Sequence, residues 1–282
     1  MKPEISIIIK NYNHEKELAA LLTCLENQTK RLFEIIIGDD GSSDNSKKIA
    51  LQHMKQSNLS YTLFCQEDRG FRLSTLINNC ISFSSTDKLI LLDADMLVGC
   101  TFVEEYLNQF KRNKKSILCG KILYIKTEFV EKILKDPLKY IDKLGPFLFN
   151  KEDSRIIRFN NIAPYKKVWG GNVGLYKKAV MGIGGSDEEF TEWGGEDTDL
   201  GFRLMQLGYS IKLLDNCTSY HLGADFPPLK EILNRGGVKL FEKKVQSNEG
   251  IVRNENPPEY DEILRVYTNR RDKIKWWHSS LI

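Results

Sequence analysis

The sequence lacks any apolar run long enough to span a membrane. The first such run, ISIII at 5–9, stops at Lys10 and polar residues, and no signal-peptide cleavage pattern follows it. A soluble, cytoplasmic chain is expected. A charge bias is also missing: 41 Lys and Arg face 38 Asp and Glu, a net charge of +3, whereas nucleic-acid-binding proteins usually gather a basic excess on one face. DNA and RNA are therefore not expected as partners. The six cysteines (Cys24, Cys65, Cys80, Cys100, Cys119, Cys217) stand apart with no C-x-x-C pair, so they read as reduced, buried small hydrophobes rather than a zinc or redox site. Neither Gly-rich phosphate cradle, G-x-x-x-x-G-K-[ST] or G-x-G-x-x-G, is present, so a bound phosphate would need a metal or basic side chains. There is no internal repeat; the two W-G-G triplets at 169–171 and 193–195 have unlike flanks.

What is present is a β–α–β rhythm. At 282 residues the chain can hold one large α/β domain or a domain with an appendage. The β-branched runs ISIII (5–9), FEIIIG (33–38), YTLFCQ (61–66) and KLILL (88–92) alternate with helical patterns at 18–28, from about 39 to 54, and at 73–83. This predicts a parallel sheet with helices on both faces. Three strand ends carry polar signals, NYNHE, DDGSSDNS and DADM, and ligands of open α/β sheets bind beyond such ends, so these should converge on one crevice. SILCGKILYI (116–125) reads as another strand, followed by a lysine-rich loop to about Lys167. The densest cluster runs from WGGNVGLYKKAV to TEWGGEDTDLGFRLMQLGYSIKLL. The character changes near Gly223–Pro228, after which FPPLKEIL opens charged, helix-like sequence.

The chemistry-bearing residues are mostly acidic. In LILLDADMLV (89–98) alternation puts Asp93 and Asp95 on one side of an extended chain and Ala94 on the other. Buried carboxylates need a partner, and two together suit a hard divalent cation that could hold a diphosphate; a solvated turn is the structural alternative. Asp39 and Asp40 end a strand, where one must face the crevice and could accept from a base N–H or a ribose hydroxyl. Arg69 and Arg72 could contact phosphate or pair with Glu67 or Asp68. TEWGGEDTDLGFRL (191–204) holds Glu192, Glu196, Asp197 and Asp199 beside Trp193 and Gly194-Gly195. Acids in a first helical turn favour the macrodipole, while an aromatic ring beside glycines suits a stacked sugar. His221, one of four histidines, could complete a site with Asp93 and Asp95, and an imidazole there would favour Mn²⁺ over Mg²⁺.

In their order, NYN, DDGSSDNS, DADM, WGGNVGLYKKAV, WGGEDTDLGFRL and His221 resemble the nucleotide-sugar glycosyltransferases of family 2 with the GT-A fold. Within that family the likeness is to bacterial chondroitin-polymerase-type transferases, with a galactosyltransferase-like late motif. The resemblance runs from residue 4 to about 223. It implies an α/β GT-A fold with a Rossmann-like, mostly parallel central sheet flanked by helices and a C-terminal helical extension. The transferase domain would span 1–225, with a nucleotide-sugar half at 1–120 and an acceptor half at 121–225, and the extension 226–282. On this resemblance Tyr12, Asn13, Asp40, Arg69, Arg72, Asp93, Ala94 and Gly171 would bind the UDP-sugar. Asp93 would meet ribose or metal, and Asp95 and His221 would hold Mn²⁺ or Mg²⁺ on the diphosphate. Asp197 would be the general base, with Glu196, Trp193 and Gly195 on the acceptor, which could be a glycan, a lipid-linked glycan or a peptide. With only one set of motifs, a single-linkage transferase is implied rather than a two-activity polymerase. The rival functions are a nucleotide-sugar-binding protein without catalysis and a nucleotidyltransferase. The latter usually has a Gly- and Arg-rich loop after the first strand, which NYNHEKEL lacks. The basic, Trp-containing tail at 264–282 would either sit peripherally on an anionic membrane or pack as a terminal helix.

Overall fold

The computed structural model describes residues 2–153, 155, 163–223, 231 and 234–246, together with the backbone of 265–268. Its first part has the predicted rhythm: β1 (Ile5–Asn11), α1 (Glu15–Glu26), β2 (Phe33–Asp39), α2 (Ser46–Gln56), β3 (Ser60–Cys65), α3 (Leu73–Phe83) and β4 (Lys88–Asp93). These strands pair in parallel in the order β4-β1-β2-β3. β1 lies between two neighbours and under helices, so its apolar run is continuous rather than alternating. Ile5, Ile7, Ile8 and Ile9 are wholly buried, each contributing about 2 kcal/mol of hydrophobic free energy. The register sets Lys10 opposite Asp93 and Asn11 opposite Asp39, which gathers the polar strand ends at one edge of the sheet.

The second part continues as β5 (Met96–Val98), α4 (Phe102–Arg112), β6 (Ser116–Ile125), α5 (Thr127–Leu134), α6 (Pro137–Tyr140), β7 (Asn172–Tyr176), α7 (Lys177–Gly182), α8 (Glu196–Gln206), β8 (Ser210–Leu222), α9 (Gly236–Gln246) and β9 (Arg265–Thr268). The described strands form one sheet in the order β5-β8-β6-β7-β4-β1-β2-β3-β9. β7 runs antiparallel to both β4 and β6 and so joins the parallel half to the rest. This is the α/β fold with a helix-flanked central sheet that the resemblance implied; its parallel β4-β1-β2-β3 half is extended by antiparallel pairings of β7, β5 and β9.

Several elements differ from the sequence reading. The stretch after Ile125, expected as loop, holds α5 and α6, with Pro137 in the first turn of α6 and the Asp136 carboxylate accepting from the Lys139 N–H at 3.3 Å. Their buried Ile133 and the following Ile141 anchor this stretch to the core. β8 is longer than YSIKLL, so His221 lies within a strand rather than beyond one. The segment past residue 226 contributes the helix α9, and β9 adds an edge strand antiparallel to β3. Cys100 is exposed rather than buried. The expectations for most of the 264–282 tail, and for the boundary itself at 224–228, lie outside the described residues. Among the described residues, no helix is long and apolar enough to cross a membrane.

Candidate active site

The site is built where β1, β4 and the N-terminus of α8 meet. Lys10, second to last in β1, is buried, and its Nζ lies 2.8 Å from Asp93 Oδ1. Burial opposes its charge, but Asp93, Asp197 and Glu196 together raise it above the ordinary lysine range. Gly170 explains how the second carboxylate reaches this point. A Cβ there would collide with both Asp197 Oδ1 and Lys10 Nζ, so only glycine lets the loop pass between sheet and helix. The Gly170 N–H donates to Asp197 Oδ2 at 2.7 Å. Gly171 is as tightly placed, since its Cβ would lie 2.8 Å from Asp93 Oδ2. Ala94 is buried, and its N–H donates to the Lys10 carbonyl at 3.0 Å; it and Asp95 form the turn between β4 and β5, not the extended chain assumed in the sequence reading.

Asp95 and His221 meet because β5 pairs antiparallel with the end of β8, setting Met96 opposite His221, while the Leu222 N–H donates to the Asp95 carbonyl at 2.9 Å. Asp95 Oδ2 is 3.3 Å from His221 Nε2. His221 Nδ1 is 3.0 Å from the Gly223 carbonyl, which can only accept, so Nδ1 carries a proton and Nε2 is the ring atom that faces Asp95. That ring also lies against Tyr124, with centroids 5.0 Å apart. Asp95 Oδ1 is buried with no hydrogen-bond partner, and burial raises the Asp95 carboxyl above the usual range, partly offset by His221. A carboxylate oxygen without a partner among the described residues, beside an imidazole nitrogen, is donor chemistry that a divalent cation could use. Among the described residues no group of three or more His, Cys, Asp or Glu side chains is set to hold a metal. Asp95 and His221 are the described pair that could contribute two donors to a cation.

The loops after β1 and β2 form the neighbouring wall. Asp39 accepts from Asn11 Nδ2 (2.7 Å), the Ser42 N–H (2.9 Å) and Ser42 Oγ (2.7 Å), so it fastens the loop internally. Asn13, in the left-handed region at φ 55°, accepts from the Ser43 N–H at 2.8 Å and locks the two loops together. Asp40 is buried, which raises its carboxyl, and it accepts from Gln66 Nε2 and from the Arg72 N–H at 3.2 Å. Tyr12 is exposed and donates to Asp68 Oδ2 at 3.0 Å. The expected nucleotide residues Tyr12, Asn13, Asp40 and Arg72 thus share one wall. Arg69 pairs with Glu67 at 3.1 Å, the surface ion pair its spacing allowed.

The four carboxylates of the W-G-G-E-D stretch divide in two. Asp199 pairs with Arg203 at 2.7 Å, and Arg203 also donates to the Ile183 and Gly185 carbonyls, so this pair is structural. The Glu192 carboxylate lies against Gly236 at the start of α9. Glu196 and Asp197 instead face Lys10. Gly195, at φ 96°, caps α8 in a conformation other residues rarely adopt. Glu196 is buried with Oε2 unpartnered; burial first, then its negative neighbour Asp197, push its carboxyl up to about 8. Asp197 is raised by burial too, but Lys10 and the Gly170 N–H pull it back down. Like charges this close resist ionising together, so Glu196 holds the proton and Asp197 carries the charge. Trp193 is exposed as expected, and the Arg235 guanidinium stacks 3.4 Å from its ring centroid. Arg235 Nη2 is buried with no hydrogen-bond partner.

Lys10 and Arg235 escaped the sequence reading. One lysine closing an apolar run reads as a strand boundary, and Arg235 lies beyond the point where the motifs stop.

Comparison with known proteins agrees with this geometry. A family described as "Glycosyl transferase family 2" matches residues 6–178, and one described as "N-terminal domain of galactosyltransferase" matches 154–223. Chondroitin synthase of Escherichia coli is 30% identical over 249 residues, covering 80% of this chain and 35% of that protein. Hyaluronan synthase of Pasteurella multocida is 30% identical over 256 residues, covering 82% and 26%. The chain therefore spans only about a third or less of the length of these relatives. Among solved structures, S. aureus TarS 1–349 in complex with UDP-GlcNAc has a TM-score of 0.58 at 14% identity, covering 86% of this chain and 73% of that one. The mannosyltransferase PcManGT from Pyrobaculum calidifontis, in complex with GDP-Man and Mn²⁺, has a TM-score of 0.55 at 15% identity, covering 79% and 57%. At these identities the structures speak for the shared GT-A fold.

Proposed function

The chain belongs to glycosyl transferase family 2 and is a glycosyltransferase, and from that premise we propose a metal-dependent, inverting transfer of a hexose or N-acetylhexosamine from a UDP-sugar to a hydroxyl. The acceptor would be a glycan, free or lipid-linked, in the synthesis of a bacterial surface polysaccharide or glycoconjugate. One observation carries this reading. The carboxylates of DADM and of the W-G-G-E-D stretch, distant in sequence, meet around Lys10 and His221 at the carboxyl edge of a parallel sheet.

Tyr12 offers its ring, and Asp40 with Gln66 its polar edge, to the uracil base, while Asp93 lies within the same crevice for the ribose. Asp95 and His221 would hold Mn²⁺ or Mg²⁺, which when bound neutralises the charge of the departing diphosphate. Asp197, ionised beside Lys10, accepts the proton of the attacking hydroxyl. Attack on the anomeric carbon from the face opposite UDP inverts its configuration. Glu196, holding its proton, donates a hydrogen bond to the acceptor and helps orient it. Trp193 supplies an apolar face for the acceptor sugar, and Gly195 lets the chain approach closely.

The test is UDP binding by calorimetry with Mn²⁺ and then with a chelator. Wild type should bind only with the metal, and Asp95→Ala should lose that metal-dependent binding. Absence of UDP binding by the wild type under either condition would sink the nucleotide-sugar reading.

A further inference from the structure

Lys10 enters the chemistry described so far only as the cation beside Asp197, yet it is a buried cation facing three carboxylates of the site. Its Nζ lies 2.8 Å from Asp93 Oδ1. Both Nζ and Asp197 Oδ1 lie within 2.5 Å of the point a Gly170 Cβ would occupy, so they are at most about 5 Å apart. Among the described residues, the groups that act on Asp197 are Lys10 on β1, Asp93 on β4, Cys119 on β6, the Gly170 N–H on the loop, and Glu196 on α8 itself. Only Lys10 among them is positive. A lysine on a buried strand, held by its register opposite Asp93, cannot swing out to solvent as a surface lysine does.

We propose that Lys10 is a positioning residue of this site: its ammonium is shared between Asp93 and Asp197, and it keeps the Asp197 carboxylate in the proton-accepting form while tying it to the donor-side carboxylate. Without that charge, Asp93, Asp197 and Glu196 would face one another across a buried space with no cation between them, and the cheapest relief is uptake of a proton by Asp197. The base would then be lost at neutral pH with every other residue in place. The proposal rests on the reading of Asp197 as the proton acceptor.

The experiment is a carboxyl titration by NMR on the full chain labelled with ¹³C at the aspartate side-chain carboxyl, with Asp197→Asn identifying the Asp197 signal. In Lys10→Met, a near match in shape without charge, the Asp197 midpoint should rise by roughly two pH units. Lys10→Arg, which keeps the charge and guards against a Met variant that does not fold, should leave the midpoint within about half a unit. An unmoved midpoint in Lys10→Met overturns the proposal, and so does an equal rise in Lys10→Arg. UDP release from a panel of UDP-sugars, with water as nucleophile, gives the functional counterpart. The acidic limb of kcat should move up with the midpoint in Lys10→Met, a loss that approaches about 100-fold below both midpoints and disappears above them. A uniform drop without a shift would mark Lys10 as merely structural. The titration needs no substrate, so failure of the wild type to bind UDP would remove the donor assignment and leave the Lys10 result readable by itself.

Discussion

Glu196 and Asp197 are neighbours in the chain, have the same chemistry, and are placed to do opposite things. Asp197 has a cation and a backbone N–H; Glu196 has an unpartnered oxygen in a buried setting. Burial lifts Glu196 from 4.5 to about 8, so between those values the folded protein holds a proton that the unfolded chain has released. Its contribution to stability is therefore complete below pH 4.5 and is lost as pH rises through 8. Glu196→Gln, which cannot ionise, should match wild type near pH 4.5 and become progressively more stable than it up to pH 8, by on the order of a few kcal/mol. Scanning calorimetry from pH 4.5 to 9 reads this directly, and parallel curves for the two proteins would refute it. At this scale the sequence was legible where spacing carries geometry. Asp93 closes β4 as the apolar run LILL implied, although Ala94 and Asp95 turn out of the strand and do not alternate along it. It was opaque where the partner comes from a distant strand: nothing in ISIIIKNYN says that Lys10 will be set opposite Asp93 by the register of β1 and β4.

The same divide holds for elements. The four parallel strands could be read because continuous β-branched runs alternate with helical periods. β5 could not, since three residues carry no period, and its existence depends on pairing with β8. That pairing is what brings Asp95 to His221, and no local pattern in either stretch encodes it. The loop that carries Gly170 has a similarly hidden support. Arg155 is wholly buried and donates to Asp153 (2.6 Å), to the Lys167 carbonyl (3.1 Å) and to the Gly120 carbonyl. It thereby ties β6 to the start of the W-G-G loop, and its ring contact with Trp169 is 5.5 Å. Arg155→Met would leave Asp153 buried without its cation and two carbonyls without their donor, a loss of about 3 to 5 kcal/mol. The midpoint of urea unfolding should fall accordingly, and a change under about 1 kcal/mol would mean the network is replaced by water.

For the whole molecule, the question is where the acceptor side ends. The motifs stop near residue 223, and by them the segment beyond is an appendage; in the structure α9 returns to the W-G-G-E-D loop. Gly237 packs its backbone on Gly194 and Gly195, and Arg235 lies flat on Trp193. Stacking a guanidinium on an indole is worth about 1 to 2 kcal/mol when partly desolvated, enough to fix the ring that a sugar would cover. Arg235 also senses the charge of Glu196, and among the described residues its Nη2 and Glu196 Oε2 are both buried without a hydrogen-bond partner. A hydroxylated ring could satisfy both. Arg235→Ala should therefore raise the acceptor KM about tenfold while leaving metal-dependent UDP binding unchanged. Acceptor titrations at saturating UDP-sugar, paired with UDP calorimetry on the same variant, separate the two terms. An equal loss in both would mean that α9 supports the site as a whole and does not belong to the acceptor side alone.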